Sequence, residues 1–233
     1  MDFHNELKKL SIELSSEESK KFELYYDYLI EINQVMNLTA ITEKDQVYRK
    51  HFLDSLQIVH ALKYLPQNIS LCDVGSGAGF PSIPLAIINP KVEVTIIDAL
   101  NKRIGFLTEL IQKLNLKNVS AFHTRAEDYV KIVGPKYDLV TARAVAKLNV
   151  LAELCLPLTK LGGIFVAMKG AAGTMEMKEA EHAIKVLGGE VVDVLHLTLP
   201  DELEERQIII IKKIKETPKQ YPRNFNKIKE KPL

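Results

Sequence analysis

An α/β fold built on a mostly parallel seven-stranded sheet is what this 233-residue chain predicts, with a helical extension before it and a basic tail after it. Three observations carry that reading. From Ser70 onward, short apolar runs alternate with stretches of helical periodicity, the pattern of repeated βα units. The first run, Leu71-Cys72-Asp73-Val74, ends in an acidic residue and a glycine-dense turn, Gly75-Ser76-Gly77-Ala78-Gly79-Phe80. Such a turn lets the backbone approach a ligand that a Cβ would push away, and the next helix aims its free N–H groups at it. The last two apolar runs, 190–198 and 206–213, suit an antiparallel pair closing the sheet.

Taken in order, Ser15 and Glu18 have the spacing of a capping box, and Phe22, Tyr25, Tyr26, Leu29 and Ile32 then recur at helical intervals, so a helix is expected over 16–34. After the turn Asn37-Leu38-Thr39, Val47, Phe52, Leu56, Val59 and Leu62 predict a second helical stretch over 43–63. Strands are expected over 69–74, 92–98, 118–122, 137–142, 161–168, 190–198 and 206–213, with helices over 81–89, 100–115, 147–158 and 173–187. The implied organisation is an extension over residues 1–66, a sheet domain over 67–213 and a tail over 214–233.

With 46% hydrophobic residues the chain can bury one full core and a small helical appendage. No apolar run is long enough to span a membrane, and the N-terminus lacks the regions of a signal peptide, so a cytoplasmic, soluble protein is expected. Cys72 and Cys155 lie in apolar stretches without metal-ligand spacing and read as buried thiols; no metal site is expected. The net charge of +1 conceals an asymmetry: residues 212–233 carry eight Lys/Arg against Glu216 and Glu230, a balance of +6, and the remainder sums to −5. Tyr221 and Phe225 interleave with those cations, as in a segment that binds RNA. A solvated terminus would have much the same composition.

The glycine turn calls for a nucleotide-like cofactor, against the bland alternative of a tight turn without ligand. A dinucleotide fingerprint would need glycine at position 80, where Phe80 stands. The order Asp73-x-Gly75-x-Gly77-x-Gly79 instead resembles motif I of the Rossmann-like S-adenosylmethionine methyltransferases. The cofactor implied is S-adenosylmethionine, whose cationic sulfonium suits an acidic neighbour. Asp98, 25 residues after Asp73, ends the second strand and can accept both ribose hydroxyls.

A narrower resemblance rests on Asn37-Leu38-Thr39, Arg49-Lys50-His51-Phe52-Leu53-Asp54-Ser55-Leu56, Asp73 to Pro81, Arg125-Ala126-Glu127, Ala142-Arg143-Ala144 and Lys169-Gly170, in that order. These segments resemble the RsmG (GidB) family across nearly the whole chain. The resemblance implies methyl transfer from S-adenosylmethionine to guanine N7 in the decoding-region loop of 16S ribosomal RNA, on naked RNA or on an assembling small ribosomal subunit, by a monomer. It places Gly75 and Phe80 on the methionine and ribose side of the cofactor and Ala126 and Glu127 beside the adenine. Glu127 also reads as an acidic residue in a helix's first turn. In the tail, Asn224-Phe225-Asn226 departs from the family's pattern.

Arg143 ends the fourth strand, where this fold places the chemistry. It is the candidate to hold an RNA phosphate, guanine O6 or the cofactor carboxylate, with a salt bridge to a neighbouring helix as the structural alternative. Lys169, after the fifth strand, is the second candidate for phosphate contact. His51 and Asp54 share a helical face that either covers the cofactor or touches RNA; otherwise Asp54 pairs with Lys50 and His51 sits at an interhelical contact. The competing function is a non-catalytic RNA-binding module that senses S-adenosylmethionine; an NAD-linked enzyme is disfavoured by Phe80.

Overall fold

The computed structural model describes residues 1–201, Leu203 and 205–233. Seven strands form one sheet in the order β3-β2-β1-β4-β5-β7-β6. They are β1 (Ser70–Val74), β2 (Glu93–Asp98), β3 (Val119–His123), β4 (Tyr137–Arg143), β5 (Thr159–Gly170), β6 (Gly189–Thr198) and β7 (Glu205–Lys213). The first five are parallel, and β7 runs antiparallel between β5 and β6. The strand order reverses between β1 and β4, so the carboxyl ends of those two strands mark the crevice where ligands bind in open α/β sheets.

The sheet is buried on both faces, which is why its central strands are apolar without alternation. Leu71, Ile96, Leu139, Val166 and Ile210 point into one core, and Cys72, Ile97, Val140, Phe165 and Ile211 into the other. The first core is covered by α1 (Phe3–Lys9), α2 (Ser16–Met36), α5 (Ser82–Ile88) and α6 (Asn101–Lys113). The second lies under α7 (Ala126–Val133), α8 (Leu148–Cys155) and α9 (Gly173–Val186). The capping box of Ser15 and Glu18 is formed as expected, and Asn37 ends α2 in the left-handed conformation.

The stretch expected as one helix over 43–63 is not uniform. Helix α3 (Lys44–Val47) passes into a π turn (Tyr48–Leu53), then α4 (Asp54–Leu56) and a 3-10 turn (Gln57–Tyr64). A π turn inserts a residue into the helical repeat and is a frequent feature of functional sites. Here it carries His51 and is followed by Asp54.

Three helices lie outside the ranges predicted from periodicity: α1, α10 (Phe225–Glu230) and α7, whose start alone was expected, at Glu127. Each is short, so its apolar periodicity is a weak signal. The last belongs to the tail, which is docked rather than solvated. Asn224 caps α10, Ile228 is fully buried, and Tyr221, Phe225 and Leu233 pack against the core under α8. Arg223 binds the buried carboxylate of Glu153 through its backbone N–H at 2.8 Å, Nε at 2.8 Å and a terminal nitrogen at 2.6 Å. Lys213, at the end of β7, is buried and donates to the carbonyls of Leu156 and Leu187 and to Thr217 Oγ1. Burial lowers its pKa to about 8. Six of the eight tail cations remain exposed: Lys212, Lys215, Lys219, Lys227, Lys229 and Lys231.

No helix among the described residues is long and apolar enough to cross a membrane. Cys72 and Cys155 are buried free thiols.

Candidate active site

The glycine turn follows β1 because three alternate glycines take positive φ: Gly75 at +74°, Gly77 at +63° and Gly79 at +102°. They do different work. A Cβ on Gly79 would stand 2.7 Å from Ile83 Cγ1 and 2.8 Å from Tyr25 Oη, so its bare Cα makes room for α2 behind the turn. A Cβ on Gly77 would meet nothing within 4 Å, so this position faces open space. Tyr25 locks the turn from behind by donating to the Ala78 carbonyl at 2.6 Å, and its burial keeps the phenol neutral. Tyr25 is thus part of the site's support, invisible in sequence except as one apolar position of an amphipathic helix.

Asp73 is completely buried, and neither carboxylate oxygen has a hydrogen-bond partner among the described residues. Burial pushes its pKa up to about 7, while nearby Ser82 and the Arg143 charge pull the other way. The hydroxyls of Ser76 and Ser82 are also buried and unpartnered. Orphaned polar groups at the end of β1 are costly unless a ligand satisfies them.

Two cavities open at the carboxyl ends of the strands. One, of about 320 Å³, is lined by Gly75, Asp98, Arg125, Ala126, Glu127, Val145 and Phe225. Asp98 is buried there, accepting from the Leu100 N–H at 2.9 Å and pairing with Arg103 at 3.3 Å. Glu127 is buried in the first turn of α7, as its helix-start reading expects, and lines this cavity. The other, of about 480 Å³, is lined by Lys50, His51, Asp54, Arg143, Lys169 and Arg206 among others. Ala144 lines both, held at φ +56°. A non-glycine residue in this left-handed region is strained, and such strain concentrates at functional sites. A third cavity, of about 1130 Å³, lies at the opposite ends of the strands, around Ser70, Asp138 and Lys160. It is remote from the switch point, so the site is not there.

Arg143 is held from two directions. Its guanidinium donates to Asp54 Oδ2 at 2.8 Å and lies 4.9 Å from the centroid of Phe80. The ring of Phe80 also stacks with His51 at 4.7 Å and with Tyr25 at 5.4 Å. Asp54 pairs through its other oxygen with Arg206 at 3.5 Å. His51 is bonded to Thr39 Oγ1 at 2.8 Å, which explains the Asn37-Leu38-Thr39 turn. Desolvation, then the Arg143 charge, lower its pKa to about 4, so it is neutral at physiological pH. Lys169 is turned inward, bonded to the Ala146 carbonyl at 2.6 Å and to Glu176 at 2.7 Å. It therefore anchors the loop after β4.

Comparison with known proteins decides what this arrangement belongs to. The family described as rRNA small subunit methyltransferase G (GidB) matches residues 18–209. The chain belongs to this family. It is 50% identical over its whole length to the Ribosomal RNA small subunit methyltransferase G of Lactobacillus acidophilus, covering 98% of that protein. It is 53% identical over 95% of its length to the Bacillus cytotoxicus protein of the same name, covering 93% of it. Among solved structures it resembles M. jannaschii TYW2 in complex with AdoMet, with TM-score 0.54 at 16% identity, over 69% of this chain and 77% of that one. It also resembles precorrin-6y C5,15-methyltransferase from Geobacter metallireducens, with TM-score 0.51 at 17% identity, over 67% and 87%. These likenesses show the class I S-adenosylmethionine methyltransferase fold.

Within the methyltransferase G frame, the predicted residues divide into three groups. Gly75, Asp98, Ala126 and Glu127 come together around the smaller cavity, and Arg143 and Lys169 line the larger. Asp73, Gly77, Gly79 and Phe80, also expected at the cofactor, line neither cavity. Phe80 is buried as the platform under Arg143 and His51. Where Lys50 is the expected structural partner of Asp54, the carboxylate pairs with Arg143 and Arg206. Sequence reasoning missed Arg206 and Phe225 as site residues, because each sits far along the chain from most of its neighbours in the site and no local motif marks it. The site fits S-adenosylmethionine on its own evidence: an orphaned buried carboxylate, an open glycine at the turn and a second buried carboxylate one strand over.

Proposed function

We propose that this chain methylates guanine N7 of 16S ribosomal RNA, naked or within an assembling small subunit, with S-adenosylmethionine as donor, acting as a monomer in the cytoplasm. S-adenosylmethionine, when bound, supplies an electrophilic methyl group. Asp98, Ala126 and Glu127 would hold its adenosine part and Asp73, Gly75 and Gly77 its methionine part. The observation that carries the reading is Arg143, fixed by Asp54 and Phe80 in a cavity that meets the cofactor cavity at Ala144.

Guanine N7 has a lone pair and no proton, so no general base is required, and the task is orientation. Neutral His51 and the fixed guanidinium of Arg143 suit that task. An arginine fork can engage guanine O6 or a flanking phosphate while leaving the N7 lone pair to attack. Lys169, through Ala146 and Glu176, fixes the loop that separates the two cavities. The exposed tail lysines supply phosphate contacts.

The experiment is transfer of labelled methyl to small-subunit RNA, followed by chain cleavage at N7-methylated guanines. A single labelled guanine in the decoding region is expected. Cofactor binding without label would identify a sensor instead.

A further inference from the structure

Phe225 stands in the cofactor cavity although it comes from the basic tail, a segment that composition assigns to RNA. Its ring shares the cavity of about 320 Å³ with Asp98, Ala126 and Glu127. The Arg125 guanidinium lies 5.7 Å from the ring's centroid. The ring is held there by more than surface packing. Two residues earlier Arg223 makes its multiple bonds to the fully buried Glu153, and three residues later Ile228 is fully buried. Glu153 is followed on α8 by Leu154, another lining residue of the same cavity. Anchor and wall are therefore consecutive in the chain. Asn224 sits between anchor and ring and caps α10, which sets the direction in which Phe225 projects.

We propose that Phe225 is a cofactor-binding residue: its ring is the wall against which the adenine packs, and the Glu153–Arg223 pair holds it in place. The inference rests on the reading that this cavity takes the adenosine part of S-adenosylmethionine. An aromatic face is sequence-tolerant toward any base, but here it is joined to a buried carboxylate that suits ribose hydroxyls. Cofactor affinity and tail docking are then linked, so that each stabilises the other. Phe225 and the tail's exposed cations thus serve different ligands. The aromatic side chain faces the cofactor, and the exposed lysines face solvent.

The test is calorimetry on the full-length chain with S-adenosylhomocysteine and with 5′-methylthioadenosine, which lacks the amino acid end. Phe225→Ala is expected to weaken both roughly tenfold, the scale of losing one ring from under a base. Phe225→Leu, which keeps apolar volume without a π face, loses most of that affinity, and Phe225→Tyr keeps it. With S-adenosylmethionine as substrate, Phe225→Ala raises KM and leaves kcat unchanged. Arg223→Ala gives a similar loss that is not additive with Phe225→Ala, because both act through one wall. Wild-type affinity in folded Phe225→Ala or Phe225→Leu overturns the proposal while leaving the methyltransferase reading intact. So does a loss confined to RNA binding, or one seen for S-adenosylhomocysteine but not for 5′-methylthioadenosine. Failure of the wild-type chain to bind either ligand would instead overturn the reading of the cavity.

Discussion

Asp73 holds a fully buried carboxyl group whose pKa burial pushes up to about 7, against an ordinary value of 3.8. The folded, ligand-free chain therefore binds this proton more tightly than the unfolded chain, and stability falls as pH rises through that window. Asp73→Asn removes the buried charge and is expected to raise the thermal midpoint of ligand-free protein at neutral and alkaline pH, with no gain in acid. The gain is on the order of a few kcal/mol. A cationic ligand favours the ionised form, so S-adenosylmethionine, with its sulfonium and ammonium groups, should bind more weakly as pH falls below about 7. Calorimetry in buffers of different ionisation heat should register the proton released. A flat affinity profile in the wild type, or an unaltered slope in Asp73→Asn, would contradict this role. Asp54 shows the converse logic, a charge that is paired twice. Asp54→Ala leaves Arg143 and Arg206 without it, an uncompensated cost of about 3 kcal/mol, and frees the guanidinium that must be fixed. Turnover should fall while cofactor affinity holds; unchanged turnover in a folded variant would show that Arg143 needs no support.

At the scale of elements, α2 and the glycine turn form one unit through Tyr25, Ala78 and Gly79. Gly79→Ala forces a Cβ into Ile83 and Tyr25 at a positive φ, and a loss of roughly 2 kcal/mol is expected in denaturant unfolding. Gly77→Ala meets no atom within 4 Å of its Cβ and bears only the strain of its positive φ, so stability should drop less while cofactor binding weakens. Equal destabilisation by the two substitutions would refute this division of labour. All seven strands and the four expected helices of the sheet domain were legible, because buried parallel strands and amphipathic helices differ in period. The π turn was not, because its apolar residues keep the spacing of an ordinary helix and no residue type marks the insertion. The short helices α1, α7 and α10 draw their stability from packing, which no local window contains.

For the whole molecule, the helical extension covers one face of the sheet and the docked tail part of the other, and both reach the carboxyl ends of the strands through Asp54 and Phe225. Motif I, Asp98 and Arg143 were legible as local signals at strand ends. Arg206, Tyr25 and Phe225 were not, since tertiary packing alone brings them there. The exposed lysines of the tail set a further expectation. Changing Lys219, Lys227 and Lys229 to Gln should flatten the salt dependence of RNA binding by about 0.7 in log–log slope for each phosphate no longer neutralised, with S-adenosylhomocysteine affinity unchanged. An unaltered slope would place the RNA surface elsewhere. On the proposed mechanism a fixed Arg143 orients guanine N7 for in-line transfer without a base, which single-turnover methylation at saturating cofactor, from neutral to alkaline pH, can check. The wild-type rate should be level over that range; Arg143→Lys should lower it on the order of tenfold and Arg143→Ala further, each without a new pH-dependent limb. Full activity in folded Arg143→Ala, or a wild-type rate that rises with the titration of a side chain, would remove Arg143 from this role or require a general base.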